Sequence, residues 1–385
     1  MKFKRLISIF MALFLVLPSF AFAEDKVHFF EDTNAISNFD NNLNIVVSEF
    51  NSGKIVSKRN DEKVVSFKNL ATYYALYTLS ENLKTKKITL DSELNLTSGK
   101  VTTKDLIFNL VAEENNAVLS SVFNYFNVDV AKVNNFFDSA SLLKTKLNSL
   151  TLDDNNKTTS REISYLANLT LKNAPEILDI TKNPKNNDKD NSVKFLPSNT
   201  FRVLGISYAK MGSVSVAYSG ETRFIISILG DTGDKDKFFE NLQKTYTHLF
   251  ANYSYKLALK KGTYDINNEN VTLEYDLYDL FYNQHSIKDV KYLLMNDKIL
   301  LFQNYETLNL NMGIVFSDFI PNTKNSTLTK IKNTFVGDLN FDKKKQSEKV
   351  SIVLERTQYF AGIFLFIYSL VFVLAYIVGK IFKRR

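Results

Sequence analysis

The chain has 385 residues, three histidines, no cysteine and a formal net charge of +7. Without cysteine there is no disulfide, no thiolate nucleophile and no lipid-carrying cysteine. Three positive charges lie before residue 6 and four after residue 379, so residues 6–379 are neutral in sum. The basic balance therefore reflects the two ends and is not a footprint for nucleic acid. His28, His248 and His285 lie far apart, and neither metal-ligand spacing nor a histidine-based triad is legible in them. No cofactor motif is visible either.

The chain opens with Lys2, Lys4 and Arg5, an apolar run over 6–17, and the small-residue pattern Ala21-Phe22-Ala23. That order of features predicts a secretory signal peptide over residues 1–23, cleaved after Ala23. Residues 42–49 read as a strand. Asn51-Ser52-Gly53 is turn chemistry and 54–59 returns, which predicts a hairpin. Residues 67–83 place Leu70, Tyr73, Tyr74, Tyr77 and Leu79 at roughly helical spacing. Thr102-Thr103-Lys104-Asp105 fits a capping box before a helix carrying Leu106, Ile107, Leu110 and Val111. A third helix is predicted over 160–172, a second hairpin over 213–218 and 223–229, and a closing helix over 234–250. Past residue 253 the runs become short and β-like, among them 270–275, 292–295 and 298–302, predicting a small β-rich domain over 253–320. Residues 321–355 read as a spacer. Residues 359–379 then hold no charged side chain. At 1.5 Å per residue that run is about as long as the ~30 Å hydrocarbon core of a bilayer. Lys380, Lys383, Arg384 and Arg385 follow, so the expected topology is one transmembrane helix, a cytoplasmic basic tail and a body outside the cytoplasm.

Several local strings carry a resemblance. They are Asn51-Ser52-Gly53-Lys54-Ile55-Val56 with Asn60-Asp61-Glu62-Lys63, then Thr103-Lys104-Asp105-Leu106-Ile107. Leu152-Asp153-Asp154 with Thr159-Ser160-Arg161-Glu162 and Asn199-Thr200-Phe201-Arg202-Val203-Leu204-Gly205 follow. In this order and spacing, over about residues 37–320, the chain resembles the serine D-alanyl-D-alanine carboxypeptidases, the low-molecular-weight penicillin-binding proteins. The resemblance implies an α/β (α+β) transpeptidase-like domain over 37–252, with an antiparallel sheet, helices on both sides and a helical subdomain. It also implies a β-rich domain, a membrane anchor and a place in peptidoglycan metabolism. The partners to expect are a peptidoglycan stem peptide or cell-wall proteins.

The family's chemistry rests on S-x-x-K, S-x-N and K-T-G elements. Its serine, one helical turn before the lysine, loses a proton to the amine and forms an acyl-enzyme. In register with Asp61-Glu62-Lys63 and with Ala75-Leu76, the first element falls on Lys68-Asn69-Leu70-Ala71, so Lys68 stands for the serine and Ala71 for the lysine. The second falls on Glu114-Asn115-Asn116, keeping only Asn116, and the third on Lys210-Met211-Gly212. Glu114 brings negative charge to the site. Lys68 and Asn69 read as solvated at a helix start, Asn116 as a buried structural asparagine, and Lys210 as an edge-strand charge. Two other S-x-x-K strings, Ser141 to Lys144 and Ser207 to Lys210, do not fall on the nucleophile helix. The expectation is a catalytically degenerate relative that binds or scaffolds. One rival is an active serine carboxypeptidase with a rearranged site, with Ser66 as nucleophile beside Lys68. Another is a structural envelope protein, favoured if aromatic side chains fill the cleft.

Overall fold

The computed structural model describes residues 28–112, 114–181, 202–209, 211–266, 269–295, 298–305, 314–315 and 317–318. The expected signal peptide, the spacer, the apolar run 359–379, the basic tail and Lys210 lie outside these residues. Among the described residues no helix is long and apolar enough to cross a membrane.

The chain enters through β1 (His28–Phe29) and a 3-10 turn (Thr33–Ile36) capped by Asp32, then forms the hairpin β2 (Asn44–Glu49) and β3 (Lys54–Arg59). Its turn closes locally. The Glu49 carboxylate accepts the Asn51 and Ser52 amides at 2.8 and 2.6 Å, and Gly53 takes φ 74°. After the short β4 (Val65–Ser66), helix α1 (Leu70–Lys84) buries most of its length. The hairpin β5 (Glu93–Leu96) and β6 (Gly99–Thr102) leads into α2 (Thr103–Ala112). There Thr102 Oγ1 accepts the Asp105 amide, as the predicted cap requires, and its hydroxyl donates to the Asp105 carboxylate. Helices α3 (Asn116–Tyr125) and α4 (Val130–Ser139) complete the helical subdomain, capped by the side chains of Asn115 and Asp129. Their short amphipathic stretches were not assigned from the sequence.

Strand β7 (Lys157–Thr158) pairs with β4, and Thr159 caps α5 (Ser160–Asn173), which is followed by α6 (Glu176–Thr181). Then come β8 (Arg202–Ala209), β9 (Gly212–Ser219), β10 (Thr222–Leu229) and α7 (Lys235–Asn252). The remainder is β-rich: β11 (Tyr253–Leu259), β12 (Gly262–Ile266), β13 (Glu269–Leu273), β14 (Leu277–Tyr282), β15 (Ile287–Met295), β16 (Lys298–Tyr305), β17 (Ile314–Val315) and β18 (Ser317–Asp318).

The central sheet has six strands in the order β18-β3-β2-β10-β9-β8, every neighbouring pair antiparallel. Both predicted hairpins therefore share one sheet, joined by β2 against β10, with Ile226 opposite Val47. Side chains of these strands alternate between two buried faces. Phe224, Ile226 and Ile228 pack with Phe238, Leu242, Tyr246 and Leu249 of α7 on one face. Ile225 and Leu229 join α1, α5 and the helical subdomain on the other. Helices cover both faces, so both period-2 residue sets are largely apolar, with the buried Ser48, Ser213, Ser215 and Ser227 among them.

Two strand pairings connect segments that lie on either side of residues 252/253. Strand β1, from the N-terminal side, pairs in parallel with β17 of the β-rich part, and β18 returns to pair with the sheet edge at β3. Both additions cover strand edges that would otherwise leave backbone donors and acceptors open.

Candidate functional site

The candidate site lies where α1 begins beneath the link between α2 and α3. Strand β4 holds the approach. Val65 and Ser66 pair with Thr158 and Lys157, and the Phe67 amide donates to the Asn156 carbonyl at 2.8 Å. Asn156 is itself fully buried and accepts the Asn148 and Ser149 amides, so this loop is fixed from inside. Ser66 is thus a strand residue, exposed, with its hydroxyl donated to the Asp154 carbonyl. It ends β4, before α1 begins at Leu70.

Lys68 stands just before α1 and its ammonium meets Glu114 Oε2 at 2.5 Å, with both side chains about one-third exposed. The Asn69 carboxamide nitrogen donates to Glu114 Oε1 at 3.3 Å. One carboxylate therefore spans both residues that precede the helix. Asn69 differs from the solvated residue expected from the sequence: it is buried, makes no side-chain cap to α1, and its Oδ1 is buried without a hydrogen-bond partner. Ala71, which the sequence register sets at the place of the resembled family's lysine, is fully buried in the core with Leu70 and Tyr74. A lysine there would bring an unpaired charge into apolar surroundings.

Asn116 is exposed, where a buried asparagine was expected. As the first residue of α3 it faces the neighbouring loop and accepts the Leu152 amide on Oδ1 at 2.8 Å. Gly212 opens β9 against the same region. A Cβ on it would lie 2.6 Å from Phe67 Cε2, so the glycine is what lets the buried Phe67 ring approach the strand. Lys68, Asn69 and Glu114 are thus linked at one helix start, Asn116 instead holds the loop at Leu152, and Gly212 reaches the helix start through Phe67. The phenylalanine was not singled out from the sequence, because nothing local distinguishes it from a core residue.

The other serine–lysine strings have separate environments. Ser141 occupies the turn after α4 at φ 61°, and Lys144 pairs with Glu62 at 2.9 Å. Ser207 lies on the edge strand β8. Of the histidines, His248 bonds Asp32 at 2.8 Å, and the His285 ring stands 5.7 Å from that of Tyr282. Among the described residues no group of three His, Cys, Asp or Glu side chains is placed to hold a metal ion.

Solved structures share this architecture. The chain superposes on penicillin-binding protein 6B from Escherichia coli with a TM-score of 0.54 at 15% identity, covering 69% of this chain and 92% of that one. The fold is that of the penicillin-binding proteins. Penicillin-binding protein 5 from Haemophilus influenzae matches with a TM-score of 0.54 at 13% identity over 69% and 93% of the two chains. The D-alanyl-D-alanine carboxypeptidase DacD from Francisella tularensis matches with 0.52 at 13% identity over 68% and 89%. No protein-family model matches the sequence, and no curated protein matches it. The penicillin-binding fold is thus recognisable in the backbone, while identity is too low to carry residue roles across.

Proposed function

We propose that this chain works in peptidoglycan metabolism as a penicillin-binding-fold protein without serine carboxypeptidase catalysis, binding or scaffolding where its relatives in fold cleave. The observation that carries the reading is the Lys68–Glu114 ion pair at the start of α1. Acylation needs a hydroxyl beside a group able to take its proton, with reacting atoms about 3 Å apart. At this position the chain has the Lys68 side chain paired with the Glu114 carboxylate and no hydroxyl to acylate. One turn further on stands Ala71, with no base. Incubation with fluorescent penicillin is therefore expected to leave the protein unlabelled, and no D-alanine should be released from a pentapeptide substrate. Covalent labelling that disappears in Ser66→Ala would overturn the reading and restore the active-enzyme rival.

The same proposal places the body outside the cytoplasm, exported by residues 1–23 and held by residues 359–379, with a peptidoglycan stem peptide or a cell-wall protein as partner. Protease treatment of intact protoplasts should degrade the body and spare an epitope tag fused after Arg385. The reverse pattern would invert the topology. A structural envelope role without any wall ligand finds its support in Phe67, whose ring fills the space beside Gly212. Failure of the purified full chain to sediment with peptidoglycan sacculi would favour that alternative.

A further inference from the structure

We infer that the start of α1 is a carboxylate-binding site and that Glu114 is its tethered occupant, an internal plug that an external carboxylate displaces. The inference rests on the proposal that this protein binds at the site and does not cleave there, and it names the chemistry of what is bound. Among the described residues, both groups that hydrogen-bond Glu114 are donors. The Lys68 ammonium meets one carboxylate oxygen at 2.5 Å and the Asn69 carboxamide meets the other at 3.3 Å. The third contribution is the 15-residue helix α1 itself, which begins at the next residue and carries partial positive charge at that end.

Asn69 supplies an independent sign. Its amide is turned so that nitrogen faces Glu114 while Oδ1 stays buried with no donor, and it forgoes capping α1. A buried acceptor left open is costly, and an asparagine before a helix ordinarily accepts from the first turn. The orientation favours the anion over the residue's own hydrogen-bonding needs.

The plug is also releasable. Glu114 is separated from Lys68 by 46 positions in the chain and reaches it from the link between α2 and α3. Its side chain is 37% exposed and that of Lys68 33%, so solvent reaches both. An ion pair this exposed is weak, and turning one glutamate side chain outward leaves Lys68 and Asn69 in place for another carboxylate. A tethered competitor lowers apparent affinity by the fraction of time the site stands open, so removing it should tighten binding without adding a contact.

The test uses the full chain in detergent, N-acetylglycine as the carboxylate probe and N-acetylglycinamide as its neutral counterpart. Binding is followed through the Asn69 side-chain amide resonance. Glu114→Ala is expected to bind N-acetylglycine roughly tenfold more tightly than the unaltered chain, and the neutral amide should not bind. Lys68→Met added to Glu114→Ala should abolish the gain. Glu114→Gln keeps the side chain's shape and should show the same direction, which guards against misfolding of the alanine variant. Equal affinity with and without Glu114, or a gain that survives Lys68→Met, overturns the inference. Penicillin labelling separates the two claims. A labelled protein refutes catalytic silence, whereas an unlabelled protein with no gain on losing Glu114 refutes only the plug.

Discussion

At the scale of single residues, Asp32 ties three elements together. Its carboxylate accepts the Ala35 amide at 3.2 Å and the Tyr253 hydroxyl at 2.9 Å, and it meets His248 Nε2 at 2.8 Å. Burial pushes its carboxyl up. The hydrogen bonds from His248 and Tyr253, the charge of His248 and the Ala35 amide outweigh that and hold it below the ordinary 3.8. A carboxylate depressed in the folded state contributes stability that is complete above its unfolded pKa and is lost as pH falls through the lower folded value. Urea midpoints should therefore hold level down to about pH 4 and fall below it. Asp32→Asn should cost about 1–3 kcal/mol at neutral pH and show a shallower acid limb. An acid limb unchanged by the substitution would assign that loss to other groups, with Glu62, also held low against burial by Lys144 and Arg161, the next to test.

The elements follow from local chemistry more readily than their contacts do. Turn residues at Asn51-Ser52-Gly53 and at Ser219-Gly220-Glu221 mark both hairpins of the central sheet, and the Thr102 cap marks α2. Helices α3 and α4 went unread because ten-residue helices carry few turns of period and depend on packing for their stability. The approach of β9 to the start of α1 belongs to this scale. Gly212→Ala should destabilise the protein by about 1–3 kcal/mol, since the buried Phe67 ring has to move from a close-packed position. Phe67→Leu in the same chain should recover part of the loss, seen as a partial return of the urea midpoint. Fully additive losses would mean that the two residues do not press on each other.

For the whole molecule, the question is what holds the β-rich part to the sheet domain. Lys54, on the first hairpin, pairs with Asp279 on β14, whose carboxylate is 4% exposed and also accepts from Gln303. These positions are 225 residues apart in sequence, and β18 adds a strand across the same division. Removing one partner of a buried pair strands the other charge, a loss moderated here by the 21% exposure of the lysine. Lys54→Met should cost about 2 kcal/mol and raise hydrogen exchange in β3 and β14 together. Faster exchange in β14 alone would show that the two parts are not coupled through this pair.

Residue order alone marked both hairpins of the central sheet with their turns and the starts of α1, α2, α5 and α7, and it raised the expectation that Lys68, Ala71 and Glu114 stand where the resembled family has serine, lysine and serine. These are local or positional properties, set by turn chemistry, side-chain period and spacing. The same information could not say that Glu114 reaches back 46 positions to close on Lys68 and Asn69, or that Phe67 rests on Gly212 across the sheet. Nor could it distinguish an exposed Asn116 from a buried one, or foresee the pairing of β1 with β17 and of β18 with β3. Those outcomes depend on which surfaces meet when the helices close over the sheet. The chain's free energy settles them by burying apolar area and pairing charges between distant segments, a balance that leaves no mark in the local sequence.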